Sequence, residues 1–211
     1  MESSRILING EWIKSKSSKT LEIRNPATLE LVGAVPDCNE ADVHAAVKAA
    51  KTAQVSWAKV PGIEKAKMLR EIALKIRSLS RELSVTMSKE TGKPLIEAVD
   101  CVDWVAQCFE YYSEVGRQSR GLSIPPGAPH QVNFTVKEPF GVVAAIVPFN
   151  FPLLLMSWKV APALAAGNTV VCKAPHQNPL SNLILAKAYE GILPAGVVNV
   201  LTGEGSTTGE L

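Results

Sequence analysis

The sequence predicts an α/β fold: a parallel sheet with flanking helices, preceded by a β-hairpin and a helical segment and interrupted by a projecting β-arm. Two observations carry this. From Phe140 onward, short apolar strands alternate with helical stretches, the signature of a parallel sheet with right-handed crossovers. Between Asn39 and Arg117, apolar residues recur at helical spacing instead.

Taken in order, Ile6-Leu7-Ile8, Asn9-Gly10 and Glu11-Trp12-Ile13 read as strand, turn and strand, because Asn-Gly tolerates the positive φ of tight hairpins. Leu21-Glu22-Ile23 and Leu31 to Val35 give two more short strands. Asn39 is placed to cap a helix, with Asp42 in the first turn and Val43, Ala46, Val47 and Ala50 on one face. A second helix runs from about Ile63 to Leu79 on Leu69, Ile72, Ala73 and Ile76. A third follows Ser80 and stops at Gly92, and a fourth spans about Leu95 to Arg117. Residues 121–139 are punctuated by Gly121, Pro125-Pro126-Gly127 and Pro129, while Val132, Phe134 and Val136 alternate with polar residues. That is the pattern of a β-hairpin or arm whose apolar face needs a partner.

The alternating region follows. Val142 to Val147 is a continuous apolar strand, then come a helix from about Leu153 to Ala166 and a strand from Thr169 to Cys172. A helix from about Leu180 to Gly191 leads to a last strand, Val197 to Leu201. A strand and a glycine-rich turn normally lead into another helix. The ending at Thr208-Gly209-Glu210-Leu211 therefore predicts a fold incomplete at its C-terminus.

Composition narrows the class. The 22 Lys+Arg against 20 Asp+Glu leave a net charge of +2, which gives no basic surface for nucleic acid. No apolar stretch is long enough to span a membrane and no targeting signal is visible, so a cytoplasmic protein is expected. Cys38, Cys101, Cys108 and Cys172, with His44, His130 and His176, have neither zinc-site nor disulfide-scaffold spacing, so no metal is expected.

In parallel sheets ligands bind beyond the carboxyl ends of the strands, which singles out three places. Asn150, between Phe149 and Phe151, follows what reads as a buried strand. Its amide either donates to an oxyanion in a water-poor pocket or caps the next helix. Lys173, ending the next strand, suits a ribose hydroxyl or a phosphate, or is an ordinary solvated lysine. Gly203-Glu204-Gly205-Ser206-Thr207-Thr208-Gly209 lets backbone approach a ligand, with a helix start favouring a pyrophosphate, or is a plain turn.

Together these positions resemble the aldehyde dehydrogenase superfamily. The match is densest in PFGVVAAIVPFNFPLLLMSWKVAPALAAGNTVVCKAP and LPAGVVNVLTGEG, and extends through INGEW, IRNPAT and ETGKPLIEA to the start of the chain. The resemblance implies a Rossmann-like sheet that binds NAD or NADP and a homodimer or homotetramer acting on an aldehyde. It implies a division into residues 1–120 as the first part of the cofactor domain, 121–139 as an oligomerisation arm and 140–211 as its βαβαβ portion, with the catalytic domain absent. It assigns Asn150 to the oxyanion hole, and Ile146, Val147, Pro148 and Phe149 to the nicotinamide-ribose side. It gives Lys173 and His176 to the adenosine ribose, Gly205 and Gly209 to the adenine and pyrophosphate, and Phe151, Leu155 and Trp158 to the helix flanking the aldehyde tunnel.

Two departures stand out. Many relatives carry glutamate where this chain has His176, and tryptophan where it has Phe149. A carboxylate at position 176 would repel a 2′-phosphate; a histidine does not, so NADP is expected to be at least tolerated. The family's mechanism needs a thiolate nucleophile, hydride transfer to nicotinamide and hydrolysis of a thioester. None of the four cysteines falls at the nucleophile position, and Cys172 lies within an expected buried strand. Two other readings remain open. One is a non-catalytic dinucleotide-binding or interaction module; the other is a related branch reducing acyl phosphates or acyl-CoA.

Overall fold

The computed structural model describes residues 5–210. The chain opens with the hairpin β1 (Ile6–Ile8) and β2 (Glu11–Ile13), then β3 (Thr20–Arg24) and β4 (Leu31–Pro36), which pair with each other. Four helices follow: α1 (Glu40–Trp57), α2 (Gly62–Ser78), α3 (Ser80–Thr91) and α4 (Leu95–Val115). The arm is β5 (Ser123–Ile124) and β6 (Asn133–Phe134). Then come β7 (Val142–Ile146), α5 (Pro152–Ala165), β8 (Thr169–Lys173), α6 (Leu180–Ala186), β9 (Val198–Leu201) and the short α7 (Gly205–Thr208).

Local chemistry explains the boundaries. Asn9 and Gly10 take φ values of 56° and 78°, as a tight hairpin requires. Asn39 and Asp42 form the capping box of α1, and Asp42 also accepts from Ser15 Oγ and Lys16 N–H at 2.5 and 2.9 Å. Gly92 ends α3 in the left-handed conformation. The helix expected to reach Gly191 stops at Ala186 and tightens into a 3₁₀ turn, Lys187–Tyr189.

The main sheet has the order β2-β1-β9-β8-β7. Its β7-β8-β9 half is parallel, as expected, but the N-terminal hairpin joins it antiparallel, Leu7 opposite Val200, so the sheet is mixed. The hairpin docks because Asn199, buried within β9, accepts the Asn9 N–H at 2.9 Å and donates to Gly196 O at 2.9 Å. Side chains alternate between the two faces. Val170, Cys172 and Val200 belong to the larger core with Trp57, Phe109, Met87, Leu153 and Met156. Val171 and Leu201 face the smaller one with Ile6, Ile8, Val43, Ala46 and Ala50. Helices thus cover both faces, α1 on one and α5 on the other.

One strand departs from expectation. Val142 to Val147 reads as buried throughout, yet β7 is the edge of the sheet, with Ala144 exposed and Ile146 54% exposed. Its apolar run reflects what the strand is made of, while its exposure follows because no strand among the described residues pairs outside it.

A buried carboxylate joins the helical layer to the start of α6. Glu90, near the end of α3, accepts the N–H groups of Leu180 at 2.7 Å and Ser181 at 2.9 Å, and the Ser181 hydroxyl. No side chain from the preceding loop caps α6, so Glu90 does this from another helix. Burial pushes its carboxyl from the ordinary 4.5 up to about 7, against the pull of the three donors. The folded chain therefore binds this proton more tightly than the unfolded one, and the Glu90 contribution falls as pH rises through that window. Glu90→Ala should cost about 1–3 kcal/mol of unfolding free energy, measured by urea titration. The cost should shrink between pH 4.5 and about 7 and level off above. A cost that grows with pH would mean the donors outweigh burial.

Candidate functional site

The three loops singled out in the sequence leave the same edge of the sheet. Ile146 pairs with Lys173, and Lys173 with Leu201, so β7, β8 and β9 end side by side. The Val147 N–H donates to Lys173 O at 3.1 Å, and the Ala174 N–H to Leu201 O at 2.9 Å, carrying the alignment into the loops. Lys173 is thus flanked by the ends of β7 and β9, and His176 lies near Glu204 in the glycine segment after β9.

Asn150 does not cap the following helix. Phe151 occupies the N-cap of α5 and no side chain makes the capping bond. The Asn150 amide, exposed at the end of β7, has no hydrogen-bond partner among the described residues. Its backbone is nevertheless held. Asn178 Nδ2 donates to Phe149 O at 2.9 Å, and Asn182 Nδ2 to Pro152 O at 2.9 Å, both from buried side chains at the start of α6. Lys93 Nζ stands 3.5 Å from the Phe151 ring centroid, a cation–π contact just beyond the turn. Pro148 and Phe149 are exposed, because β7 is an edge strand.

Lys173 is buried at the end of β8, and burial pushes its ammonium pKa down while Glu204 and Asp37 pull it back up. His176 Nε2 lies 3.8 Å from Glu204 Oε2. Glu204, from the loop after β9, thus puts a carboxylate near His176. Of the glycines, Gly203 carries the conformational requirement, with φ +142° and a Cβ position 2.0 Å from Thr208 Oγ1. Gly205 opens α7 with nothing within 4 Å of its Cβ position, so a ligand can approach its backbone. Gly209 closes that turn against Gly205 O. The helix start expected there is α7, which begins at Gly205.

Between α4 and α5, a cavity of about 590 Å³ is lined by Trp104, Gln107, Cys108, Tyr111, Tyr112, Leu154 and Trp158. Trp158, on α5, lines it. Leu155 packs half-buried against the core and Phe151 is held under Lys93, so neither lines this cavity. Trp104, from α4, is the aromatic that sequence reasoning missed. It reads there as an ordinary residue of a long helix. Asn178 and Asn182 are equally unmarked, and Glu204 is noted only as part of the glycine segment, since nothing local signals whose carbonyl or imidazole they meet.

The description of the aldehyde dehydrogenase family matches residues 12–211. The chain belongs to this family. It is 40% identical to an aminoaldehyde dehydrogenase of Arabidopsis thaliana over 99% of its own length, and spans 44% of that protein. Among solved structures, an aldehyde dehydrogenase from Bacillus cereus in complex with NAD+ superposes with a TM-score of 0.96 at 37% identity. That match covers 99% of this chain and 43% of the other. An NADP-dependent enzyme from E. coli superposes with a TM-score of 0.95 at 36% identity, covering 98% of this chain and 43% of that one. The chain thus spans less than half the length of the relatives it matches.

All four cysteines are buried. Burial raises Cys172 to about 12 and Cys38 to about 11, and pushes Cys101 and Cys108 up as well. None has the depressed pKa of a nucleophilic thiol. Titration of the native chain with a chromogenic disulfide at pH 8 should therefore find no thiol reacting at the rate of free cysteine, and denaturant should release all four. A single fast-reacting native thiol would contradict the burial.

Proposed function

We propose that this chain forms part of the dinucleotide site of an NAD- or NADP-dependent aldehyde dehydrogenase and supplies that enzyme's oxyanion donor. The observation that carries the reading is the exposed Asn150 amide, just past the carboxyl end of β7, while the Phe149 carbonyl before it is held by Asn178 from the loop before α6. An amide held in this way donates its N–H to the oxygen of an aldehyde as negative charge develops there. Because its backbone is already ordered, little reorganisation is needed when that charge appears.

The residues present fit a dinucleotide. Lys173 offers an ammonium at a strand end, Glu204 a carboxylate beside it, and the Gly203–Gly205 turn an approachable backbone. Lys173 and His176 would hold the adenosine ribose, and Gly205 and Gly209 the adenine and pyrophosphate side. Ile146, Val147, Pro148 and Phe149 would line the nicotinamide ribose. When bound, the nicotinamide supplies the hydride acceptor. Ile146 and Phe149, each more than half exposed, would then be covered and keep water from the reacting carbon. Phe151, Leu155 and Trp158 would flank the aldehyde, with Leu154 and Trp104 beside Trp158.

Residues 121–139 would serve as the subunit-pairing arm of a homodimer or homotetramer. Val132, Phe134 and Val136 are 85%, 68% and 69% exposed, an apolar edge that a second copy would cover. Residues 1–120 and 140–211 would belong to one cofactor domain, in a cytoplasmic enzyme. The four buried thiols favour a second reading, a non-catalytic dinucleotide-binding or interaction module.

Intact mass of the protein as the cell makes it, measured alongside NAD+ and NADP+ reduction with a panel of aldehydes, separates the two. A protein longer than this chain that turns over supports the enzyme, and Asn150→Ala should then lower kcat by about 10²–10³. A protein of this chain's size that binds dinucleotide without turnover supports the module. Deleting residues 121–139 should shift either one toward monomer in sedimentation, and unchanged association would remove the arm from the interface.

A further inference from the structure

We propose that Glu204 is the residue by which this chain tells a free 2′-hydroxyl from a 2′-phosphate on a bound dinucleotide, favouring the hydroxyl. The inference rests on the reading of Lys173 and His176 as the adenosine-ribose end of the site. Position 176 taken alone points to weak discrimination, since a histidine carries no fixed negative charge. The fold brings that charge from another loop. Parallel pairing sets Lys173 opposite Leu201, so the segments after β8 and β9 leave the sheet as neighbours. Glu204 Oε2 then lies 3.8 Å from His176 Nε2.

The Glu204 backbone is pinned on both sides. Its N–H donates to Asp37 Oδ1 at 3.1 Å and its carbonyl accepts the Thr208 N–H at 3.0 Å. The side chain itself is 41% exposed and that of His176 39%, so both can turn toward a ligand. Glu204 also acts on Lys173, holding its ammonium toward the charged form against burial. A carboxylate placed among these groups accepts hydrogen bonds from ribose hydroxyls and repels a phosphate at the same point. Lys173 and His176 offset part of that repulsion, which keeps NADP within binding range while NAD remains preferred.

Calorimetric titration of the chain with NAD+ and with NADP+ tests this, using the wild type, Glu204→Gln and His176→Ala. The wild type should prefer NAD+, by no more than about a hundredfold. Glu204→Gln should improve NADP+ binding relative to NAD+ by about five- to tenfold. His176→Ala leaves the carboxylate without its partner and should move the ratio the other way. Opposite movements of the ratio, with thermal unfolding unchanged, are a result that a merely structural role for Glu204 would not give. Equal wild-type affinities, an unmoved ratio in Glu204→Gln, or a parallel loss of both affinities overturns the inference while leaving the dinucleotide reading in place. Binding of neither dinucleotide overturns that reading and the inference with it.

Discussion

Everything at the ligand edge depends on where α6 begins, and a carboxylate from a distant helix decides that. The loop after β8 carries Lys173 and His176, then must release into a helix whose first N–H groups face the protein interior. Nothing in the loop satisfies them. Glu90 does, and it is 4% exposed, so those donors have no water to fall back on. With α6 anchored, Asn178 and Asn182 are positioned to hold the carbonyls of Phe149 and Pro152. One carboxylate thus sets the loop proposed to hold the ribose and, one step on, the turn that presents Asn150. The arrangement runs from helix layer to loop to turn without using any residue of the site itself.

The parallel half of the sheet supplies the other constraint. Three strands that point the same way deliver their loops to one edge, and their register decides which loop residues become neighbours. This is how Glu204 reaches His176, while Asp37, just after β4, joins the corner from outside the sheet by accepting the Glu204 N–H and acts on Lys173 as well. The electrostatics of that corner belong to the assembled edge and to no single motif. A histidine read alone suggests an uncharged ribose site, whereas the edge contains two carboxylates, one ammonium and an imidazole.

Much of this is legible in the residues, for physical reasons that can be named. Asn9-Gly10 announces a hairpin because few residue pairs accept positive φ, and the Asn39–Asp42 box announces α1 because both side chains act within one turn. The β-α-β-α-β alternation announces the parallel sheet, and the family motif points to Asn150 and Lys173. What escapes is long-range. Asn199 looks like an interruption in an apolar strand, and only the docked hairpin explains it. Val142 to Ile146 looks buried on both faces, because hydrophobicity says nothing about whether a pairing strand lies beyond. Glu90 looks like a solvated residue near a helix end, and its partners lie about half the chain away. Periodicity reports the faces of an element and is silent about its neighbours.

The distribution of reactive groups also follows from this architecture. A nucleophilic thiol needs exposure to its target and a cationic or dipolar setting that lowers its pKa. The strands and helices that align the ligand edge do so by close packing, and the cysteines they contain are packed with the rest: Cys172 inside β8, Cys101 and Cys108 inside α4, Cys38 against Thr202. Burial that stabilises the scaffold therefore pushes every one of these thiols away from reactivity. Asn150 escapes that fate because it lies past the end of an edge strand, where its backbone is ordered and its amide is not consumed. Among the described residues, close packing thus buries all four thiols, while Asn150, Ile146 and Phe149 stand exposed at and just past the end of β7.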